Sequence, residues 1–138
     1  MNNLNKINVN ELTAIQKKNY RFQKVASALA DFGFNAIRLT DDLSGADFSL
    51  HHIDGGEPLK VILKGRAMIA KKYIDEDLHI CFPDSEGWYF LKHDALVDVI
   101  AQHTNWLSTE SWIAGELYST PTLSSSLKDQ LSGFFIQS

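Results

Sequence analysis

Asp47 and Lys64 are the residues of this chain whose types and spacing best suit chemistry. Asp47 enters an apolar segment, an Asp54-Gly55-Gly56 turn reverses the chain, and a second apolar run, 59–63, ends in Lys64. If the two runs pair as a hairpin, the carboxylate and the ammonium arrive at one end of a sheet. Such a pair is the minimum equipment for metal-assisted phosphodiester hydrolysis. The carboxylate anchors Mg (or Mn), and the lysine orients water and stabilises charge on the phosphate oxygens. The main-chain carbonyl of Leu63 supplies a further hard oxygen ligand. Ile62, two residues before Lys64, offers no oxygen where a second carboxylate would be expected. On spacing alone the pair also suits plain surface positions, because Asp before a strand and Lys after one are common there.

The elements that must position this pair follow from periodicity. Asn10 reads as an N-cap with Glu11 in the first turn, and Ile15, Phe22, Val25, Ala26 and Leu29 recur at helical spacing. Lys17, Lys18, Arg21 and Lys24 take the outer positions, and Gly33 supplies the stop, so a helix is predicted over 11–32. Strands follow at 34–39, 46–51 and 59–64, separated by Thr40-Asp41-Asp42 and by the glycine turn. Segment 67–73 fits a continuation of the third strand. A fourth strand at 78–82 is stopped by Pro83, and a fifth runs over 87–92. Helices are predicted at 94–102, 109–117 and 125–131. The expected class is α/β (α+β), with a central mixed sheet of about five strands flanked by helices. The first nine residues read as a frayed terminus. Residues 10–138 read as one domain, with a core over about 10–102 and a helical extension over 103–138.

Composition narrows the partners. A hydrophobic content of 44% supports a packed core, while the longest apolar runs are far short of a membrane span. No membrane partner is expected, and without a visible signal peptide the cytoplasm is the default location. The net charge of −4 argues against a protein-wide grip on nucleic acid. The distribution is uneven, however: Lys60, Lys64, Arg66, Lys71 and Lys72 fall in a window free of acids. A local DNA-binding face built from Lys60, Arg66, Lys71 and Lys72 is one reading of that window, and a solvated surface is the other. The lone Cys81 sits among apolar residues and reads as a buried hydrophobe. No HExxH, GxSxG or glycine-rich phosphate loop occurs. Adjacent His51 and His52 point to opposite faces of a strand and cannot share a metal. Trp88, Tyr89, Phe90, Trp106 and Trp112 suit packing of the sheet against C-terminal helices better than stacking on bases.

The segments LTDDLSGADFSLHH, LKVILKGR and KKYIDEDLHICFPDSEGWYFLKHDALVDVI together resemble the PD-(D/E)xK, restriction-endonuclease-like superfamily, in particular a group of small bacterial proteins. The resemblance covers about residues 10–102 and implies an αβββαβ core, although no second core helix is clear before Leu78. It implies that Asp47 is the metal-anchoring aspartate and Lys64 the catalytic lysine of a Mg-dependent endodeoxyribonuclease. Ile62 departs from the family pattern, which places Glu, Asp or Gln there. Asp42 is the favoured replacement ligand, with Asp41, Gln16, Asn19 and Glu11 as further oxygen donors. The expected function is a metal-dependent DNA endonuclease or a nuclease-derived DNA-processing protein. The alternative is a catalytically inactive binding or scaffold module of the same fold, acting as a homodimer in one version.

Overall fold

Thr13, not Asn10, caps the first helix. The Gln16 N–H donates to the Thr13 hydroxyl while the Gln16 side chain accepts from the Thr13 N–H, a reciprocal capping box. In the computed structural model, which describes residues 3–40 and 45–137, helix α1 accordingly spans Ala14–Ala30. The polar Asn8 to Glu11 signal belongs instead to a single 3-10 turn, Val9–Glu11, capped by Asn8. Phe22, Val25, Ala28 and Leu29 form the buried stripe of α1, and Gly33 ends it at φ +86°. Ile15 lies one turn too early to reach the sheet and is 77% exposed.

Among the described residues eight strands follow the helix in two sheets. β1 (Phe34–Arg38), β2 (Phe48–His52) and β3 (Leu59–Leu63) form an antiparallel meander. β5 (Leu78–Asp84) then lies parallel to β3, and β6 (Gly87–Lys92) pairs antiparallel with β5. A last strand, β8 (Phe135–Gln137), adds to β6, so the main sheet has six strands in the order β1-β2-β3-β5-β6-β8. The fold is therefore mixed α and β, and its main sheet has one strand more than the sequence predicts. β4 (Ala67–Ala70) pairs with β7 (Leu117–Thr120) in a separate two-stranded sheet. Three short helices complete the chain: α2 (His93–His103), α3 (Glu110–Ile113) and α4 (Ser125–Gln130).

Two expectations are corrected here. Segment 67–73 does not prolong β3; it forms β4 and a 3-10 turn, Lys71–Tyr73, so the crossover from β3 to β5 carries no α-helix. Its partner strand β7 lies about fifty residues later, beyond the reach of local pattern. Pro83 does not stop β5 either, because it sits opposite Trp88 inside the β5–β6 hairpin. The parallel neighbour β3 reaches only Cys81, so on that side Pro83 occupies an edge position, where its missing N–H costs no ladder bond.

Alternation along the strands divides the core into layers. Phe48, Leu50, Val61, Leu63, Cys81 and Trp88 pack with the α1 stripe. On the other face Ile80, Phe82, Tyr89 and Leu91 pack with Leu96 and Ile100 of α2, Ile69 of β4, Trp106, Trp112 and the C-terminal leucines. Ile62 joins Ala46, Ala70, Tyr73 and Leu78 in a smaller cluster. The tryptophans are core residues, as their spacing suggests. Burial pushes the Cys81 thiol well above its ordinary range, so it stays protonated and inert. Among the described residues no helix is long and apolar enough to cross a membrane.

Candidate functional site

Asp47 is held by backbone before its side chain is considered. Its N–H donates to the Val61 carbonyl at 2.8 Å, and its carbonyl accepts from the Leu39 N–H at 3.0 Å. The register partner of Val61 is Phe48, so two successive residues of the entering chain face one residue of β3. That is the arrangement of a β-bulge, which re-aims a side chain at the end of a ladder. Asp47 Oδ2 consequently accepts from the Leu63 N–H at 2.7 Å. Asp47 Oδ1 lies 2.8 Å from Lys18 Nζ. Both oxygens are thus engaged, with the carboxylate 20% exposed.

Lys64 follows Leu63 at the same end of the sheet, where its N–H continues the ladder to the Cys81 carbonyl. Its ammonium lies 5.9 Å from the centre of the Tyr73 ring, on the face where Ile62 and Tyr73 pack together. Among the described residues Lys64 enters no ion pair, and the cation that meets Asp47 comes from α1. The sequence reading set Lys18 on the outer face of the helix. The signal that places it inward is its position four before Phe22 and seven before Val25, on the buried stripe. Arg21 also reaches this end. A Cβ on Gly65 would stand 3.0 Å from its guanidinium carbon, so the missing side chain makes room for the charge. Lys72 lies over the same Tyr73 ring at 5.1 Å.

The other predicted residues disperse. Leu63 meets Asp47 through its N–H, a donor, and not through the carbonyl proposed as a metal ligand. Asp42, with Asp41, lies outside the described residues. Gln16 is used in the capping box, and Asn19 accepts from Arg38. Arg66 donates to the Ser119 hydroxyl on β7. Lys71 points to α3, 3.5 Å from the Ile113 carbonyl and 5.5 Å from the centre of the Trp112 ring. Lys60 begins β3, about 13 Å along the strand from Lys64 at ~3.3 Å per residue, and cannot join it.

A magnesium cradle needs several oxygens converging on one point. Ile62, at the position where the resemblance would place a second ligand, is fully buried among apolar side chains. Among the described residues no group of three or more His, Cys, Asp or Glu side chains could hold a metal ion. The described donors do not fit the metal. What they build is a carboxylate neutralised by Lys18 from α1, with Arg21 reaching the same strand end beside Gly65 and with Lys64 and Lys72 over the Tyr73 ring on the Ile62 face. Neither a protein-family model, nor a curated protein, nor a solved structure matches this chain.

The histidines lie elsewhere. His51 meets the Ser49 hydroxyl at 3.0 Å, and His52 meets the Phe32 carbonyl at 3.1 Å. His93 is fully buried, its Nε2 accepting from the Ala70 N–H at 3.1 Å and its Nδ1 lying 3.2 Å from Asp94 Oδ1. Burial lowers its pKa, with Asp94 opposing. His79 stacks on Phe90 at 5.1 Å, and its Nδ1 is buried without a hydrogen-bond partner among the described residues. Burial, with help from Lys92, lowers its pKa too.

Proposed function

We propose that the Asp47–Lys64 end of the sheet is a DNA-phosphate-binding rim of a nuclease-derived, PD-(D/E)xK-like protein, working as a binding or processing module and not as a metal-dependent hydrolase. The observation that carries this reading is the full engagement of the Asp47 carboxylate by Lys18 and the Leu63 N–H. A carboxylate so held neutralises one lysine and leaves Arg21, Lys64 and Lys72, which enter no ion pair among the described residues, as the positive charge offered at this end. Phosphate oxygens satisfy such a cluster without any base-specific contact. The acidic balance of the whole chain then confines binding to this end.

The test is salt-dependent binding of a labelled duplex followed by fluorescence anisotropy. Each lost phosphate contact lowers the slope of log K against log salt by about one. Alanine at Arg21, Lys64 and Lys72 together should flatten the plot, and an unchanged slope overturns the reading.

A second reading, a Mg-dependent endonuclease, is favoured by the bulge that fixes Asp47 beside the residue preceding Lys64. It requires an oxygen donor beyond the described residues, with Asp42 the first choice. Cleavage of plasmid or branched DNA with magnesium or manganese, abolished by Lys64→Ala in a folded protein, would select it.

A further inference from the structure

Helix α1 carries two adjacent stripes with different destinations. Lys18 and Arg21 reach the rim, at Asp47 and at Gly65. Lys17, Tyr20 and Lys24, spaced i, i+3 and i+7, form the neighbouring stripe, of which Tyr20 and Lys24 face the β5–β6 turn. Two open clefts meet on that stripe. One, of about 270 Å³, lies between α1 and the hairpin, lined by Tyr20, Lys24, Pro83, Ser85, Gly87 and Trp88. The other, of about 370 Å³, lies toward the N-terminal segment, lined by Asn5, Lys6, Ile7, Tyr20 and Lys24. Tyr20 and Lys24 are the wall common to both, with the ammonium 5.5 Å from the ring centre.

We infer that this ridge is a stacking platform for an unpaired base, so that the DNA held by the rim is single-stranded at this point. The inference rests on the phosphate-binding reading and adds the substrate class. A partly buried tyrosine between two clefts has room for a planar ring beside it, whereas a duplex keeps its bases paired and presents only backbone to a helix side. The lysines supply the charge that a strand needs on either side of a stacked base: Lys6 and Lys24 at the clefts, and Arg21 and Lys64 back at the rim. No carboxylate lines either cleft among the described residues, and Asp84, in the adjoining turn, is paired with Lys128. Trp88, although it lines the smaller cleft, is packed in the core and contributes floor, not a free face.

The experiment compares a labelled oligothymidine with a duplex of equal length at one salt concentration. The wild type should prefer the single strand. Tyr20→Ala should lower single-strand affinity by about tenfold, the scale of one lost base–aromatic stack, and so lower the ratio of single-strand to duplex affinity. Tyr20→Leu, which keeps an apolar side chain on the helix, should lower the ratio as well, separating stacking from a folding defect. Equal binding of both forms by the wild type, or a ratio unmoved by both variants, overturns the platform while leaving the rim intact. Failure to bind either form overturns the rim itself and the platform with it.

Discussion

The two ends of β3 carry similar residue types and put them to different use. At the C-terminal end a single carboxylate is clamped by a lysine and a main-chain N–H, and Arg21 reaches the same end beside Gly65. At the N-terminal end Lys60 and Lys92 share a cleft of about 370 Å³ with Glu57, Glu76, Asp77 and His79. There the Lys92–Asp77 pair spans 3.3 Å between two largely exposed side chains, which solvent screens. The contrast lies in the backbone. A bulge and a strand-end N–H bonded to the carboxylate organise charge at one end, whereas at the other end the ion pair is between exposed side chains.

The largest effect should come from forcing the rim toward a metal site. Ile62→Glu places a carboxylate at a fully buried apolar position and should cost about 3–5 kcal/mol, read by urea denaturation. Recovery of that loss by millimolar magnesium would turn the rim into a metal cradle and break the contrast. Asp47→Ala should cost about 1–3 kcal/mol, mostly by orphaning the Leu63 N–H, while Lys18→Ala should cost about 0–1 kcal/mol because that lysine is half exposed. Equal losses in the two variants would place the weight on the ion pair and not on the backbone clamp.

Acid probes two buried imidazoles, His79 at the N-terminal-end cleft and His93 behind the Tyr73 ring. Both have folded pKa values below the ordinary 6.5, so the unfolded chain takes up their protons first. Their contribution is complete above pH 6.5 and is lost as pH falls from 6.5 toward the folded values. The urea midpoint should drop between pH 7.5 and 5.5, by less in His93→Gln. A midpoint that climbs on acidification contradicts the assignment. The smallest effects separate Lys60 of β3 from Lys64, which follows the strand. Neither Lys60→Ala nor Lys64→Ala should change stability by more than about 0.5 kcal/mol. Lys64→Ala should reduce the salt slope for DNA by about one, and Lys60→Ala should leave it unchanged.

Much of the sheet is legible from local pattern. The strand over 87–92 and the stop at Gly33 appear where alternation and turn chemistry place them. The helix start is set three residues too early, because Asn8, Asn10 and Thr13 all suit a cap, and both Asn8 and Thr13 have a Glu or Gln three residues on. β7 and β8 pass unrecognised, since LYST and FIQ are too short to show a period without their partners. At the site, Asp47 is located correctly relative to β3, but the cation assigned to it is not the one that arrives. Sequence order favours Lys64, the neighbour at the strand end, and the packing of α1 delivers Lys18.

Local chemistry alone specifies the alternating faces of β2, β3 and β5, the amphipathic stripe of α1 and the turn between the second and third strands, because each depends on the dihedral angles of a few consecutive residues. Which charges meet Asp47, and that Ile62 is sealed beneath Tyr73, depend on the distance between α1 and the sheet, on a bulge, and on a second sheet whose strands are about fifty residues apart. Those are long-range packing quantities, and no window of the chain contains them.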